Sequence, residues 1–321
     1  MKDEEVYLER LEGLVSQGTE SQYFADLSLQ VKEKCQTLGF KEQDIITTKL
    51  ARLWLPVALK LAKARRTLDR TLIQGILGGQ GTGKSTLCII LNLILNYLGF
   101  STANLSIDDL YLTHSERQKL KQQDPRLIWR GPPGTHDVDL GLQVIEQCLS
   151  GNSATQILMP RFDKSVFHGD GDRTEPEAIP KPDILLFEGW FVGVKPISAD
   201  YFDHPPDPIH TPEDKQFALD NNDRLKAYLP LWNKLDRLIV LYPEDYRLSK
   251  QWRKEAEHKM IATGKTGMSD AQIDRFVEYF WKALHPELFI DPLTKSADLV
   301  VEIKSDRSLG RIYQPVNSST S

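Results

Sequence analysis

The sequence predicts an α/β fold: a three-layer α/β/α sandwich with a mainly parallel central sheet and an N-terminal helical extension. From residue 71 onward, short apolar segments of strand length alternate with helical segments. The strand segments are almost continuously apolar, which is typical of parallel strands that helices cover on both faces. Residues 1–68 instead repeat apolar residues at three- and four-residue steps, which is the period of helices.

Each element of this fold has its own sequence pattern. Buried strands are predicted at 71–77, 101–108, 182–190, 237–242 and 297–303. Helices are predicted at 84–99, 136–150, 244–262 and 269–284. Residues 196–214 are rich in proline and histidine and are predicted to form a loop.

Composition narrows the class of protein. Apolar residues make up 40% and charged residues 26% of the chain, as in globular proteins. The net charge of −5 provides no basic field for nucleic acid or anionic lipid, and no obligate protein partner is evident. The three cysteines, Cys35, Cys88 and Cys148, are far apart, which argues against a disulfide framework or zinc site and predicts a cytoplasmic location.

Targeting segments are not expected either. The first twelve residues are acidic and amphipathic, without the basic flank and apolar block of a secretory signal. Their acidity also argues against an organelle transit peptide. Because no stretch approaches 18 unbroken apolar residues, no membrane-spanning helix is predicted.

The most specific motif follows the first strand, where Gly78 to Ser85 fits the spacing GxxxxGK followed by Ser or Thr. Glycines let backbone N–H groups turn inward around a phosphate, and the following helix points its positive end at the same anion. Lys84 is expected to reach the β and γ phosphates, and the Ser85 hydroxyl to ligate Mg²⁺. The motif predicts a P-loop NTPase fold, with nucleotide-binding residues Gly78, Gly79, Gln80, Gly81, Thr82, Gly83, Lys84, Ser85 and Thr86.

A P-loop alone does not separate kinases from GTPases, ATPases or motors. Asn233 to Asp236 match the guanine-reading pattern NKxD. In GTPases that motif follows a buried strand, whereas here it follows a helical segment and precedes the strand at 237–242. The reversed order favours an ordinary helix end that leads into a strand.

Carboxylates end two of the predicted strands. Asp108 and Asp109 end the second strand, which is expected beside the P-loop strand, and Glu188 ends the strand at 182–190. A carboxylate at this edge of the sheet can accept a proton from a substrate hydroxyl or ligate Mg²⁺. Asp is also a common helix N-cap, so one member of the Asp pair can cap while the other acts chemically. Glu188 occupies the position of a Walker B acid.

Several segments together resemble a known family. IDDLY, PRFD and LFEG resemble segments of uridine kinases, which belong with phosphoribulokinase and bacterial pantothenate kinase to one group of P-loop kinases. Across about residues 70–305, the chain is similar to the D-glycerate 3-kinase family of photosynthetic organisms and related fungi and bacteria. The segments that carry this resemblance are GGQGTGKSTL, SIDDLYLT, RGPPGTHD, PRFDKS, GDR, LFEGW, QWRKEAE and GKTGMSD.

The resemblance implies ATP- and Mg²⁺-dependent phosphorylation of D-glycerate to 3-phosphoglycerate, in photorespiratory or related glycerate metabolism. It implies that Asp108 is the catalytic base and that Ser85 and Glu188 are Mg²⁺ ligands, with Asp108 a further candidate ligand. Arg253 falls where related kinases place a lid arginine over the transferring phosphate, and Arg247 is a weaker candidate. The implied organisation is a helical extension at 1–68, a P-loop kinase domain at 69–305 with a lid at about 246–268, and a tail at 306–321.

Basic residues near the carboxylates suggest an anionic acceptor. Uridine kinases carry an acidic segment where this chain has Arg130. Arginine is the natural bidentate partner of a carboxylate. The candidate acceptor-binding cations are Arg130, Arg161, Lys164 and Arg173. The alternative is that some of them, Lys164 first, form only surface ion pairs, with Asp163, Asp170 or Asp172 as partners.

Two further residues and two further functions stay open at this point. His136 is a candidate acceptor contact or a structural residue at a helix start, and Trp190 is more typical of a core position than of a ligand contact. The chain could phosphorylate another acceptor, such as a nucleoside, pantothenate or a sugar phosphate. It could also be a non-catalytic ATP-binding protein of the same fold, although Asp108, Glu188 and Arg253 favour an enzyme.

Overall fold

The computed structural model describes residues 22–150, 156–264 and 267–315. The α/β fold predicted from the sequence is confirmed, because a mainly parallel sheet lies between helices and further helices precede it. Residues 1–21 of the predicted helical extension and residues 316–321 of the predicted tail lie outside the described residues. No helix in the described ranges is long and apolar enough to cross a membrane.

The described helices and strands are as follows. The helices are α1 (Gln22–Thr37), α2 (Gln43–Lys49), α3 (Leu55–Arg66), α4 (Lys84–Tyr97), α5 (His114–Gln123), α6 (Val138–Ser150), α7 (Pro212–Arg224), α8 (Leu229–Trp232), α9 (Leu248–Ile261), α10 (Asp270–Ala283) and α11 (Pro286–Phe289). The strands are β1 (Leu72–Gly78), β2 (Thr102–Ser106), β3 (Gln156–Met159), β4 (Phe162–Asp163), β5 (Asp172–Arg173), β6 (Glu177–Pro180), β7 (Ile184–Gly189), β8 (Arg237–Pro243), β9 (Leu299–Ile303) and β10 (Leu309–Tyr313).

The central sheet places β1 between β7 and β8. The spatial order is β10-β9-β8-β1-β7-β2, and every neighbouring pair is parallel except β9 and β10. Every residue of β1 is buried, in keeping with its almost continuously apolar sequence. The carboxyl ends of the parallel strands therefore meet at one edge, which is where open α/β sheets bind ligands.

Three features differ from the sequence-based expectations. The prediction that β2 lies beside the P-loop strand is wrong, because β7 lies between β2 and β1; strand composition does not encode this order. Residues 309–313, which the sequence analysis placed in the tail, form β10 on the edge of the sheet. The predicted loop at 196–214 contains the short 3₁₀ helix Ala199–Phe202 and the start of α7, and it buries Phe202 completely.

The N-terminal helices share a core with the P-loop helix. A π-helical turn at Leu50–Trp54 joins α2 to α3, and Leu50 is fully buried. Leu27 of α1 and Leu61 of α3 belong to the same apolar cluster as Leu91 of α4. The extension therefore covers one face of the sheet through α4, while a second cluster, which includes α6 and β7, fills the opposite face.

The Asn233–Asp236 segment lies between α8 and β8, which confirms the order inferred from the sequence. Arg70 donates to both carboxylate oxygens of Asp236, at 2.6 and 2.9 Å, and the backbone N–H of Ile73 donates to the same carboxylate at 2.8 Å. These contacts lie at the amino ends of β1 and β8, at the opposite edge from the P-loop. Asp236 therefore has a structural role in joining the two strands.

We predict that Asp236→Ala lowers the free energy of unfolding by about 1–3 kcal/mol, because the Ile73 N–H and Arg70 lose their acceptor. Denaturant unfolding measures this change. Asp223→Ala is the matched control, because its carboxylate is 71% exposed and pairs with Lys226 on the surface. Equal stability of the Asp236→Ala and Asp223→Ala variants would contradict the structural role of Asp236.

Candidate active site

Hydrogen bonds from P-loop side chains to the P-loop backbone hold the loop in a tight turn. Gly83 has a φ of 93°, a left-handed conformation that suits glycine, and it caps the start of α4. The Thr82 hydroxyl donates to the Gly79 carbonyl at 2.9 Å, and Lys84 Nζ donates to the same carbonyl at 3.1 Å. A Cβ on Gly78 would lie 2.6 Å from Thr82 Oγ1, so the tight turn needs glycine there. This arrangement holds the Lys84 ammonium at the loop that phosphates would occupy.

Helix α9, which begins the predicted lid, packs directly on the P-loop. A Cβ on Gly81 would lie 2.6 Å from Cβ of Trp252. Trp252 is only 1% exposed, and its indole N–H donates to the Ser305 carbonyl at 3.2 Å. The first turns of α9 are therefore anchored on the P-loop by a buried apolar contact, although most residues of this helix are polar. The lid itself remains a prediction.

The acid that ends β7 meets the start of α4. Ser85 Oγ donates to Glu188 Oε1 at 3.3 Å. The contact follows from register, because Glu188 pairs with Ile76 of β1 on one side and with Ser106 of β2 on the other. Within the described residues, no group of three or more His, Cys, Asp or Glu side chains is arranged to hold a metal ion. A hydroxyl and one carboxylate fit Mg²⁺ in kinases, which completes its shell with water and phosphate oxygens.

The two aspartates after β2 have different roles. Asp109 completes a capping box: its carboxylate accepts the Ser106 N–H at 3.0 Å and is 3.3 Å from the Arg161 guanidinium. Asp108 instead receives a hydrogen bond from the Tyr111 hydroxyl at 2.7 Å on Oδ1 and one from Lys164 Nζ on Oδ2. The sequence left open which of the two aspartates caps the turn after β2, and the structure shows that Asp109 does.

The surroundings of Asp108 keep its carboxylate ionised. Burial raises its pKa, but the Lys164 ammonium and the Tyr111 hydroxyl outweigh burial, so the pKa of Asp108 lies below its ordinary value. The Tyr111 ring is itself fixed, because it stacks on His136 at 4.7 Å between centroids and contacts Phe162 edge-on at 5.0 Å. Tyr111 thus orients the carboxylate from a packed aromatic cluster.

His136 belongs to that cluster. It is 5% exposed, and its Nδ1 shares a hydrogen bond of 2.8 Å with the Tyr228 hydroxyl. Burial lowers the pKa of His136 to about 3, so the ring is neutral at physiological pH. These contacts favour a structural role, in which His136 supports Tyr111 from behind; the acceptor contact remains a prediction.

The four predicted acceptor-site cations have different partners. Lys164 pairs with Asp108, Arg161 pairs with Glu177 and Asp109, and Arg173 pairs with Asp137 while donating to the Tyr111 carbonyl. Among the described residues, Arg130 has no carboxylate partner; one nitrogen donates to the Gly169 carbonyl at 2.5 Å. Its guanidinium lies 5.8 Å from the Tyr111 ring centroid. Arg130 is therefore the one of these four cations that has no carboxylate partner in the described residues, and it lies beside the Tyr111 ring.

The acids that the sequence suggested as partners are engaged elsewhere. Asp163 accepts from Ser165, Asp172 accepts from the His114 N–H, and Asp170 lies 3.7 Å from the His114 ring. The alternative in which some of the cations pair with these acids is therefore wrong for the side chains that the structure describes. The partners come from distant segments that the fold brings together, whereas the sequence pointed to near neighbours.

The lid arginines pair within their own segment. Arg253 lies 2.9 Å from Glu257, one turn further along α9, and its guanidinium carbon is 5.7 Å from the Phe276 ring centroid. Arg247 lies 3.3 Å from Asp245 and is 64% exposed. Their proposed contact with a transferring phosphate remains a prediction.

Sequence reasoning assigned no functional role to Tyr111 or Trp252, although both lie in the segments that carry the resemblance. A cavity lined by Gly79, Gln80 and the aromatic rings of Trp190, Tyr246 and Trp252 lies beside the P-loop. Trp190 also donates its indole N–H to the Gly131 carbonyl at 3.2 Å. Trp190 thus lines the site in addition to its expected packing role.

This chain is similar to several named proteins. No family model matches it. It is 33% identical over 228 residues to an uncharacterized kinase of Schizosaccharomyces pombe. The aligned region covers 68% of this chain and 82% of that protein. It is 31% identical over 248 residues to the chloroplastic D-glycerate 3-kinase of Arabidopsis thaliana. That alignment covers 73% of this chain and 52%, about half, of the Arabidopsis protein.

A solved structure supports the same relationship. The D-glycerate 3-kinase from Cryptococcus neoformans var. grubii matches with a TM-score of 0.72 and 29% sequence identity, over 80% of this chain and 96% of that one. The match extends the similarity from the sequence to the three-dimensional fold over that part of this chain. The chain therefore belongs to the D-glycerate 3-kinase-like family of P-loop kinases.

Proposed function

We propose that this P-loop kinase transfers the γ-phosphoryl group of ATP to a hydroxyl of D-glycerate and forms 3-phosphoglycerate. One observation carries the choice of an anionic acceptor: Arg130, without a carboxylate partner among the described residues, lies beside Tyr111, whose hydroxyl holds Asp108. The names of two relatives, both D-glycerate 3-kinases, support the choice of acid. Photorespiratory metabolism and a cytoplasmic location remain predictions from the sequence.

In the proposed reaction, Asp108 accepts the proton of the acceptor hydroxyl. The hydroxyl oxygen forms a bond to the γ-phosphorus, the bond from that phosphorus to the β–γ bridging oxygen breaks, and ADP leaves. Lys84 stays at the β and γ phosphates and compensates their charge. Ser85 and Glu188 would hold Mg²⁺, which supplies neutralisation of phosphate charge when it is bound.

The acceptor must approach with its hydroxyl toward Asp108 and its carboxylate away from the phosphates. Repulsion between the acceptor carboxylate and the γ-phosphate would otherwise oppose in-line attack. A bidentate contact with Arg130 would satisfy this requirement, because a guanidinium binds a carboxylate through two parallel N–H donors. Arg161 and Arg173 are less suited to this task, since both are already engaged by acids.

We predict that Lys84→Ala and Ser85→Ala each abolish phosphoryl transfer and leave the fold intact. Both side chains act on the nucleotide, and within the described part of the chain the Lys84 ammonium donates a hydrogen bond only to the Gly79 carbonyl. Circular dichroism and thermal unfolding verify the fold, and ADP release measures transfer. Normal turnover by Lys84→Ala would contradict the P-loop assignment.

We predict opposite profiles for the two adjacent aspartates. Asp108→Asn should reduce kcat by about 10²–10⁴-fold, the usual range for a general base, with little change in ATP binding. Asp109→Asn should mainly lower the melting temperature, because Asp109 caps the turn after β2 through the Ser106 N–H. If Asp109→Asn lost the larger part of kcat while Asp108→Asn remained active, the assignment of the base would be wrong.

We predict that Arg130→Ala raises the KM for D-glycerate by about tenfold or more, which corresponds to about 1.4 kcal/mol of lost binding. The KM for ATP should stay nearly unchanged. Arg311→Ala is the matched control, because Arg311 is 79% exposed on the edge strand β10. An unchanged KM for D-glycerate in Arg130→Ala would remove Arg130 from the acceptor site.

A further inference from the structure

The candidate base is not free in this structure. Both carboxylate oxygens of Asp108 accept hydrogen bonds, Oδ1 from the Tyr111 hydroxyl and Oδ2 from Lys164 Nζ. The Tyr111 contact comes from a buried ring that is packed on three sides, so it is a fixed part of the site. The Lys164 contact comes from a side chain that is 57% exposed. Lys164 is therefore the partner that can leave.

The segment that carries Lys164 leaves its side chain room to move away from Asp108. It follows β4, which pairs with β5 through only two residues on each strand. Its neighbours Asp163 and Ser165 bond to each other, and the hairpin continues with exposed Val166 and Phe167. The long, flexible lysine stem can swing from Asp108 without moving the backbone. Lys164 is the more exposed member of the pair, and exchange of Asp108 for an incoming anion replaces one ion pair of this lysine with another.

We propose that Lys164 is a movable counter-ion, which pairs with Asp108 in the free enzyme and transfers to the anionic group of the acceptor, the carboxylate in D-glycerate, when the acceptor binds. The inference rests on the proposed function, because it needs an acceptor that carries negative charge. Binding of an anion then frees Oδ2 of Asp108 for the acceptor hydroxyl. Lys164 therefore binds the negative charge of the acceptor and, by the same movement, releases the carboxylate of Asp108.

The charge balance at the site favours this exchange. An acceptor anion that arrives next to Asp108 adds a second negative charge close to the first, and a cation between them compensates both. A neutral alcohol offers Lys164 no competing anion, so Lys164 stays on Asp108 and the base remains covered. The site would thereby select acids over neutral polyols at two stages, first in binding and then in the availability of the base.

A different cation could also displace Lys164. Asp108 is a candidate Mg²⁺ ligand, so the arrival of Mg²⁺ with the nucleotide could expel the lysine before any acceptor binds. In that case, Lys164 would affect the dependence on Mg²⁺ and would not affect selection between acids and neutral acceptors. The experiment below separates these two outcomes.

The test is a double-mutant cycle on binding of the acceptor, measured by titration calorimetry with a non-hydrolysable ATP analogue at several concentrations of Mg²⁺. The proteins are the full chain, Lys164→Met, Asp108→Asn and the double variant. The probes are three anions, D-glycerate, pantothenate and ribulose 5-phosphate, and two neutral molecules, glycerol and uridine. Lys215→Met is the matched control, because Lys215 lies 3.3 Å from Asp203 in a surface pair on α7.

The proposal expects opposite effects of the two single substitutions. Lys164→Met should weaken binding of the anionic acceptor by about tenfold or more, as for loss of a charge-assisted contact. Asp108→Asn should tighten it, because the competitor for Lys164 loses its charge. In the Lys164→Met background, Asp108→Asn should produce less tightening, because only the direct repulsion between Asp108 and the anion is then relieved. Lys215→Met should bind as the unchanged chain does.

Three results would overturn the proposal: equal anion affinity of Lys164→Met and the unchanged chain, equal tightening by Asp108→Asn with and without Lys164, or an effect of Lys164→Met on the dependence on Mg²⁺ alone. Failure of the proposed function is distinguishable from these. If pantothenate or ribulose 5-phosphate binds in place of D-glycerate but shows the same pattern, the acceptor is wrong and the role of Lys164 stands. If none of the three anions binds, both are wrong.

Discussion

The burial of β1 between β7 and β8 is the constraint on which the candidate active site depends. With parallel neighbours on both sides, β1 can end only at the edge where β7 also ends, and the chain must turn there into α4. That turn is the P-loop, and its first helical residues face the acid at the end of β7. The 3.3 Å contact between Ser85 and Glu188 is a direct result of this register. The phosphate side of the site is thus built from the sheet itself.

The acceptor side is assembled differently, from segments between strands. The turn after β2 carries Asp108 and Tyr111, and backbone hydrogen bonds join it to the segment that ends at Asp137. That segment also contains Arg130 and His136. The Tyr111 ring lies at the centre, with His136 on one face and Asp108 at its hydroxyl. The Tyr111 side chain therefore links Asp108, the proposed base, to Arg130, which we propose binds the carboxylate of the acceptor.

The parts of the fold that depend on long, regular patterns could be predicted from the sequence. β1, β7 and β8 are almost continuously apolar, and the P-loop spacing is specific, so the type of these strands and their order in the chain could be predicted. The order of strands across the sheet could not, since nothing in the composition of β2 indicates that β7 separates it from β1. The edge strand β10 was missed because its residues are mostly half-exposed.

The residue types of the candidate site could be predicted from the sequence, but the contacts between these residues could not. Asp108 and Lys164 are 56 positions apart and meet through a hairpin whose strands have two residues each, too short for any periodic signal. Arg161 and Arg173 were identified as cations near the base, but their acids, Glu177 and Asp137, lie where only the folded chain brings them. Burial of Trp252 against Gly81 was hidden because the surrounding helix is polar.

The most direct test of the account is the choice of acceptor by the unmodified chain. ADP release with Mg²⁺ and ATP should be compared for D-glycerate, glycerol, uridine, pantothenate and ribulose 5-phosphate at equal concentrations. The account predicts that D-glycerate is turned over at least about tenfold faster than glycerol or uridine, as expected when a charge-assisted contact is lost. Turnover of glycerol or uridine at the rate of D-glycerate would contradict it.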